Sequence, residues 1–220
     1  MKYVFCGDIH GKSEQVRRAL DMDGIIVFVG DFIDSFDRTI LEHDECYRLV
    51  IEAIKKKKAR VIYGNHELSY IPVCGELGQS IHRSSGWNYQ RSIVMKKYES
   101  KIREHFEPYI FLTPEFLVSH AGLTKQLWQD QGLSIKTLSQ ALAEWWLDRN
   151  SPMHYIGRYR GGRNKYGGLF WCDFNQEFEE VPELSQIFGH TPGPDIRYRG
   201  NSFCIDCLDR KHQFLELDIL

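Results

Sequence analysis

The chain has 220 residues, of which 42% are hydrophobic and 26% charged, and its formal net charge is −2. That is long enough for a sizeable core and too apolar for a disordered chain, while the near-neutral balance excludes a global electrostatic drive toward nucleic acid or anionic membranes. No apolar run approaches the roughly 20 residues of a membrane span, and no signal peptide is expected, since its removal would destroy the polar motif at residues 7–11.

In chain order, residues 2–6 read as a strand, 13–20 as a helix, 25–29 as a buried strand, 40–57 as a helix and 60–63 as a strand. Leu41, Leu49, Val50, Ala53 and Ile54 recur at near-helical spacing on the second helix. Strands alternating with helices predict an α/β fold in which helices cover a sheet, and such sheets place ligands at strand C-termini. Residues 72–112 break the rhythm. Pro72, Gly75, Gly78 and Gly86 mark loops and a helix is expected over 88–105, so this stretch reads as a cap or insertion within a single domain spanning 1–220. A strand at 116–119 and a helix at 134–149 follow, the helix with Ser134 as its N-cap and Ile135, Leu138, Leu142, Trp145 and Trp146 on its apolar face. Residues 157–168 form a loop rich in glycine and arginine. Strands are expected at 169–172, 186–188, 202–206 and 213–217, the last two as a hairpin turned at 208–212.

The six cysteines are scattered, which favours free thiols in a reducing cytoplasm over a disulfide framework. Cys204 and Cys207 form a lone CxxC in an apolar run and read as structural filler. The run Lys55-Lys56-Lys57-Lys58 lies where a helix should end, where cations complement the dipole, and no aromatic residues are interleaved for base stacking.

Five polar motifs each follow an apolar run: Gly7-Asp8-Ile9-His10-Gly11, Gly30-Asp31-Phe32-Ile33-Asp34, Gly64-Asn65-His66-Glu67, Ser119-His120-Ala121-Gly122 and Gly189-His190-Thr191. Side chains at the ends of neighbouring strands converge, and this set supplies carboxylates, imidazoles and an amide oxygen for two divalent metal ions. Two metals about 3.5–4 Å apart are a device for attacking phosphate esters. Asp8 and His10 suit a metal that accepts mixed oxygen and nitrogen ligands. Asp31 is expected to bridge both ions, Asn65 to offer a neutral oxygen, and His120 and His190 to offer nitrogens. His66 is expected to face the open side of the site as a general acid, held by Asp34 or Asp37.

Together these motifs resemble the calcineurin-like metallophosphoesterase superfamily, in the branch of serine/threonine protein phosphatases and symmetrical diadenosine tetraphosphatases. The resemblance runs from Gly7 to Thr191, with Leu169-Phe170-Trp171-Cys172-Asp173 similar to the family's strand before the last histidine. It implies a four-layer β-sandwich flanked by helices, with the metals at strand C-terminal ends. It implies one ion on Asp8, His10 and Asp31 and a second on Asp31, Asn65, His120 and His190. The ions are expected to be manganese, with iron, zinc, nickel or cobalt as alternatives, and His66 is the implied catalytic histidine. The implied reaction is hydrolysis of a phosphate monoester by a metal-bridging hydroxide, most nearly that of a serine/threonine protein phosphatase. The alternatives are a dinucleoside polyphosphate hydrolase, a cyclic nucleotide phosphodiesterase, and a non-catalytic scaffold for a phosphorylated partner. The partner is a phosphorylated substrate, a phosphoprotein or a small nucleotide. One departure matters: the family's Asp-Arg-Gly is here Asp34-Ser35-Phe36 before Asp37-Arg38. Counting from Asp31 makes Asp34 the partner of His66 and leaves phosphate to Arg38, or to Arg158, Arg160 or Arg163, whose guanidinium donors fork onto phosphate oxygens.

Overall fold

The computed structural model of the protein describes residues 1–71 and 83–219. The expected loop residues Pro72, Gly75 and Gly78, and Cys74, lie outside the described residues. Strands β1 (Lys2–Cys6), β2 (Ile25–Phe28) and β3 (Ala59–Val61) are parallel, with β9 (Leu215–Asp218) antiparallel to β1, giving the order β3-β2-β1-β9. The second sheet has the order β4-β5-β6-β8-β7. Its centre is β5 (Phe116–Val118), β6 (Ser185–Phe188) and β8 (Ser202–Cys204), all parallel. The antiparallel β4 (Ile110–Thr113) and β7 (Arg197–Arg199) are its edges. The fold is therefore a mixed α/β one with two mixed sheets.

Strand periodicity explains how the sheets meet. Phe5, Val27, Val29, Ile62, Ile110, Val118, Ile187 and Ile205 are each at most 1% exposed and pack together between the sheets. Their alternating neighbours Val4, Cys6, Ile26, Phe28 and Val61 face the other way, into a layer with Val16, Ala19, Cys46, Tyr47 and Val50. That second layer is made by helices α1 (Ser13–Leu20) and α2 (Ile40–Lys55), with α4 (Tyr89–His105) against α2. Strands buried on both faces read as near-continuous apolar runs, which is how 25–29 reads. Each fully buried Phe, Ile or Val contributes about 1.5–3 kcal/mol.

Helix α2 starts at a reciprocal cap: Thr39 Oγ1 accepts from Glu42 N (3.3 Å) and Glu42 Oε2 from Thr39 N (2.7 Å). It ends at Lys55, two residues short of the expected end, because Lys57 turns left-handed at φ 56°. Leu41, expected on the apolar face, is 80% exposed. Of the stretch 72–112, α4 starts at Asn88, whose side chain accepts from Arg91 N (3.0 Å), and 110–113 is strand β4. Three further helices are α3 (Asn65–Leu68), α5 (Lys125–Asp130) and α6 (Ile135–Leu147).

Two expected elements are corrected. Residues 169–172 are a buried turn, since the Gly168 carbonyl accepts from both Trp171 N and Cys172 N (3.0 Å each). Full burial made that run look like a strand. Residues 202–206 and 213–217 are not a hairpin, because β8 belongs to the second sheet while β9 pairs with β1 in the first. Alternation marks both as strands but says nothing about which edge each one joins. The hairpin is instead β7–β8, with Gly200 at φ 52° in its turn.

Candidate active site

The six parallel strands point their C-terminal ends toward one cavity of about 420 Å³, lined among others by Asp8, His10, Asp31, Asn65, His66 and His190. Asp8 and His10 follow β1, Asp31 follows β2, Asn65 and His66 follow β3, His120 follows β5 and His190 follows β6. The loops are tied by backbone: Ile9 N and His10 N both donate to Asp31 O (3.0 and 2.7 Å), and Gly189 N to His120 O (2.7 Å). His190 N donates to Asp8 Oδ1 (3.0 Å), which joins the two sheets across the site.

Close approach explains two motif glycines. A Cβ on Gly64 would lie 2.0 Å from Asp31 Oδ1, and one on Gly189 would lie 2.1 Å from Asp8 Oδ1. Four of the six non-glycine residues with positive φ among the described residues are at the site: His10 (43°), Asp31 (54°), Asp34 (64°) and His190 (68°). Such conformations are held only where the surroundings over-determine them.

Two groups of side-chain donor atoms each lie within 4.8 Å of one another: His10, Asp31 and His66, and Asp31, His120 and His190. Asp31 is common to both. Asp8 Oδ2 is 4.0 Å from His10 Nε2, and Asn65 Oδ1 is 2.8 Å from His120 Nε2. All six expected metal ligands are thus gathered, and His66 stands with them, its ring perpendicular to that of His10 at 4.9 Å.

The tautomers suit a cation. His120 donates Nδ1–H to Val29 O (2.7 Å) and His10 donates Nδ1–H to Ile33 O (2.9 Å), which aims each Nε2 lone pair inward. Around His120 Nε2 stand two acceptor oxygens, Asn65 Oδ1 at 2.8 Å and Asp31 Oδ2 at 3.3 Å, with His190 Nδ1 at 3.2 Å. His190 Nε2 is buried with no hydrogen-bond partner among the described residues. Two acceptor oxygens aimed at a nitrogen lone pair call for positive charge between them. A proton on His120 supplies one unit: burial works against it, but Asp31 and Asp8 raise His120 to about 9. Burial raises Asp8 to about 7, and burial together with His66 lowers His10 to about 4. Asp31 stays well below its usual range because His120 and His66 outweigh its burial. The donor set fits divalent cations.

His66 Nδ1 donates to Asp34 Oδ2 at 2.8 Å, while Asp37 is 80% exposed and hydrogen-bonded to Ser35. Asp34 is held in turn by Tyr70 Oη (2.6 Å), Ser84 Oγ (3.1 Å) and the buried Arg91 (Nη1 at 3.6 Å). Burial opposes the charged form of His66, but Asp31 and Asp34 raise its pKa.

Of the four arginines expected on phosphate, the structure brings one to the cavity. Arg160 donates from Nη2 to Thr191 Oγ1 (2.8 Å) and His190 O (3.3 Å), and its Nε is 3.0 Å from Asp173 Oδ2. Arg38 is a correction: it is consumed by Glu14 (3.0 Å) and Glu42 (3.1 Å), across α1 and α2, and does not line the cavity. Arg158 and Arg163 are exposed and also outside it.

Several residues were missed. Glu67, fully buried, accepts from Asp31 N (2.8 Å), Phe32 N (2.8 Å), Gly64 N (2.9 Å) and Tyr47 Oη (2.8 Å). Its position in the third motif was the available signal. Asp206, just past β8, lines the cavity, and burial and Asp8 push its carboxyl well up. Trp171 stands edge-on to His190 at 5.8 Å, and Asp173 anchors Arg160; both lie in the Leu169–Asp173 run.

The model of the calcineurin-like phosphoesterase family matches residues 1–194. Among solved structures, the chain is similar to the cold-active protein-tyrosine phosphatase of a psychrophile, Shewanella sp. The two are 14% identical over 99% of this chain and 75% of that one, with a TM-score of 0.63, a likeness of fold. It is also similar to a protein serine/threonine phosphatase from Saccharomyces cerevisiae, described as similar to human phosphatase PP5. That match has 13% identity, 93% of this chain, 66% of that one and a TM-score of 0.49. No curated protein matches the chain.

Proposed function

The chain belongs to the calcineurin-like phosphoesterase family, and from that premise we propose that it hydrolyses phosphate monoesters at a centre of two divalent cations, with His66 as general acid. The observation that carries this reading is Asp31, one carboxylate shared by two groups of inward-facing donors. Asp8, His10 and Asp31 would hold one ion; Asp31, Asn65, His120 and His190 would hold the other. Bound there, the cations would supply Lewis-acid polarisation of the phosphoryl oxygens and a water of lowered pKa. Oxygen and imidazole donors with no thiolate suit manganese, iron or zinc, and manganese is the ion to assay first.

The remaining steps belong to this chain's own side chains. Arg160 clamps the phosphoryl oxygens, steered by Asp173 and Thr191. His66, oriented through Nδ1 by Asp34, gives the proton on Nε2 to the oxygen of the leaving group as the P–O bond breaks. No covalent phosphoenzyme forms. The motifs favour a phosphoprotein substrate, as in the serine/threonine phosphatases they resemble. The five described cysteines are buried free thiols, which supports a reducing cytoplasm, and no helix among the described residues is long and apolar enough to cross a membrane. Asp31→Ala should abolish manganese-dependent hydrolysis of para-nitrophenyl phosphate and release bound manganese; undiminished turnover would refute the site.

A further inference from the structure

Beside His66 a second cleft of about 480 Å³ opens, bounded by His10, Asp34, Ser35, Phe36, His66 and Ser85. Phe36 is 92% exposed, the most exposed large apolar side chain among the described residues. It is held outward by its neighbours. Phe32 and Ile33 are fully buried, the Ser35 carbonyl is bound by the Arg91 guanidinium, and Ser35 Oγ donates to Asp37 Oδ1 at 2.6 Å. The backbone is pinned on both sides of a ring that packs on no core residue among the described ones. His66 lines both the cavity and this cleft, so a leaving group protonated by His66 in the reaction proposed above has this cleft as its way out.

The charges on the cleft narrow its occupant. Asp37 is 80% exposed and Asp209 is 57% exposed, while the one lysine among the described lining residues, Lys12, is buried and paired to Asp209 at 2.7 Å. A leaving group carrying further phosphates meets two carboxylates there, whereas a neutral ring meets Phe36. Aromatic pairs with ring centroids about 4.5–7 Å apart attract beyond what their buried area alone supplies. We propose that this cleft also receives the aryl group of a phosphotyrosyl residue, with its ring against Phe36, so that aryl phosphate monoesters are substrates beside the alkyl ones. The proposal rests on the phosphomonoesterase reading above.

The test compares phosphotyrosyl and phosphoseryl forms of one peptide, with manganese, for the wild type, Phe36→Ala and Phe36→Trp. Because Phe36 is exposed, neither change should disturb folding. The ratio of kcat/KM for phosphotyrosyl over phosphoseryl peptide should fall about threefold to tenfold in Phe36→Ala, through KM, and be held by Phe36→Trp. An unchanged ratio in an active Phe36→Ala overturns the proposal while leaving the phosphomonoesterase reading intact. A larger loss on diadenosine tetraphosphate than on the phosphotyrosyl peptide also overturns it, by assigning the ring to a nucleobase. A wild type with no metal-dependent turnover of either peptide removes the underlying reading, and this one with it.

Discussion

The two halves of the cavity are held in different ways. On the first-sheet side, Asp31, Phe32 and Gly64 are fixed by backbone N–H groups that converge on one buried carboxylate, Glu67. On the second-sheet side, Arg160 is held only at the tip of its own long side chain, by Asp173, the Thr191 hydroxyl and the His190 carbonyl, and keeps 22% of its side chain exposed. Backbone bonds set positions without rotamer freedom, whereas a long side chain tethered at its tip retains slack. The first side is therefore a rigid frame for the proposed ligand atoms, and the second would serve as an adjustable clamp for a phosphate. Substitutions should cost stability and metal binding on the first side and substrate affinity on the second.

The largest expected effect tests the frame. Glu67→Ala strips three buried N–H groups and the Tyr47 hydroxyl of their acceptor at once. Leaving buried donors unsatisfied costs about 1–3 kcal/mol each, so the variant should lose roughly 3–5 kcal/mol after partial relaxation. Urea unfolding measures this directly, with Tyr47→Phe, which removes one of the four bonds, losing about 1 kcal/mol. A Glu67→Ala protein as stable as the wild type would show that the two sides do not differ in the way argued.

The same contrast governs what could be read without coordinates. Asp8, His10, Asp31, Asn65, His120 and His190 were legible because each sits in a short motif directly after an apolar strand, and parallel strands bring their ends together. Asp34 was legible by counting from Asp31. The supports were not. Arg91 reaches Asp34 across 57 positions and Asp173 reaches Arg160 from a turn that looked like a strand, and no local pattern encodes such contacts. Strand identity was likewise readable in β8 and β9 but sheet membership was not, since alternation reports burial of a face and not the neighbour.

A smaller effect separates positioning from structure within the rigid side. Against its burial, Asp31 and then Asp34 raise the pKa of His66, so the protonated imidazole, the active form of a general acid, is present at low pH and is lost as pH rises through that raised value. Asp34→Asn removes the carboxylate, lowers the pKa of His66, and should move the alkaline limb of the kcat profile to lower pH. It should also cut kcat by about 10²-fold on an alkyl phosphate, and less on para-nitrophenyl phosphate, whose leaving group needs no proton. A loss of activity with the limb unmoved would assign Asp34 to structure alone.

The smallest effect falls on the clamp. Arg160→Lys keeps the charge but loses the planar fork, and Lys at that position reaches Thr191 or Asp173 but not both with the same geometry. Losing one charge-assisted hydrogen bond of about 1.5 kcal/mol corresponds to roughly tenfold in affinity. KM for a phosphate monoester and Ki for inorganic phosphate should both rise by about that factor, with unfolding stability and manganese binding unchanged. Thr191→Val, which removes only the hydroxyl that Arg160 Nη2 and Phe174 N share, should move Ki by about threefold. Parallel shifts in KM and Ki place Arg160 on the phosphate itself. A shift in stability with Ki constant would make Arg160 a strut between the loops at 173 and 191, and the second side as rigid as the first.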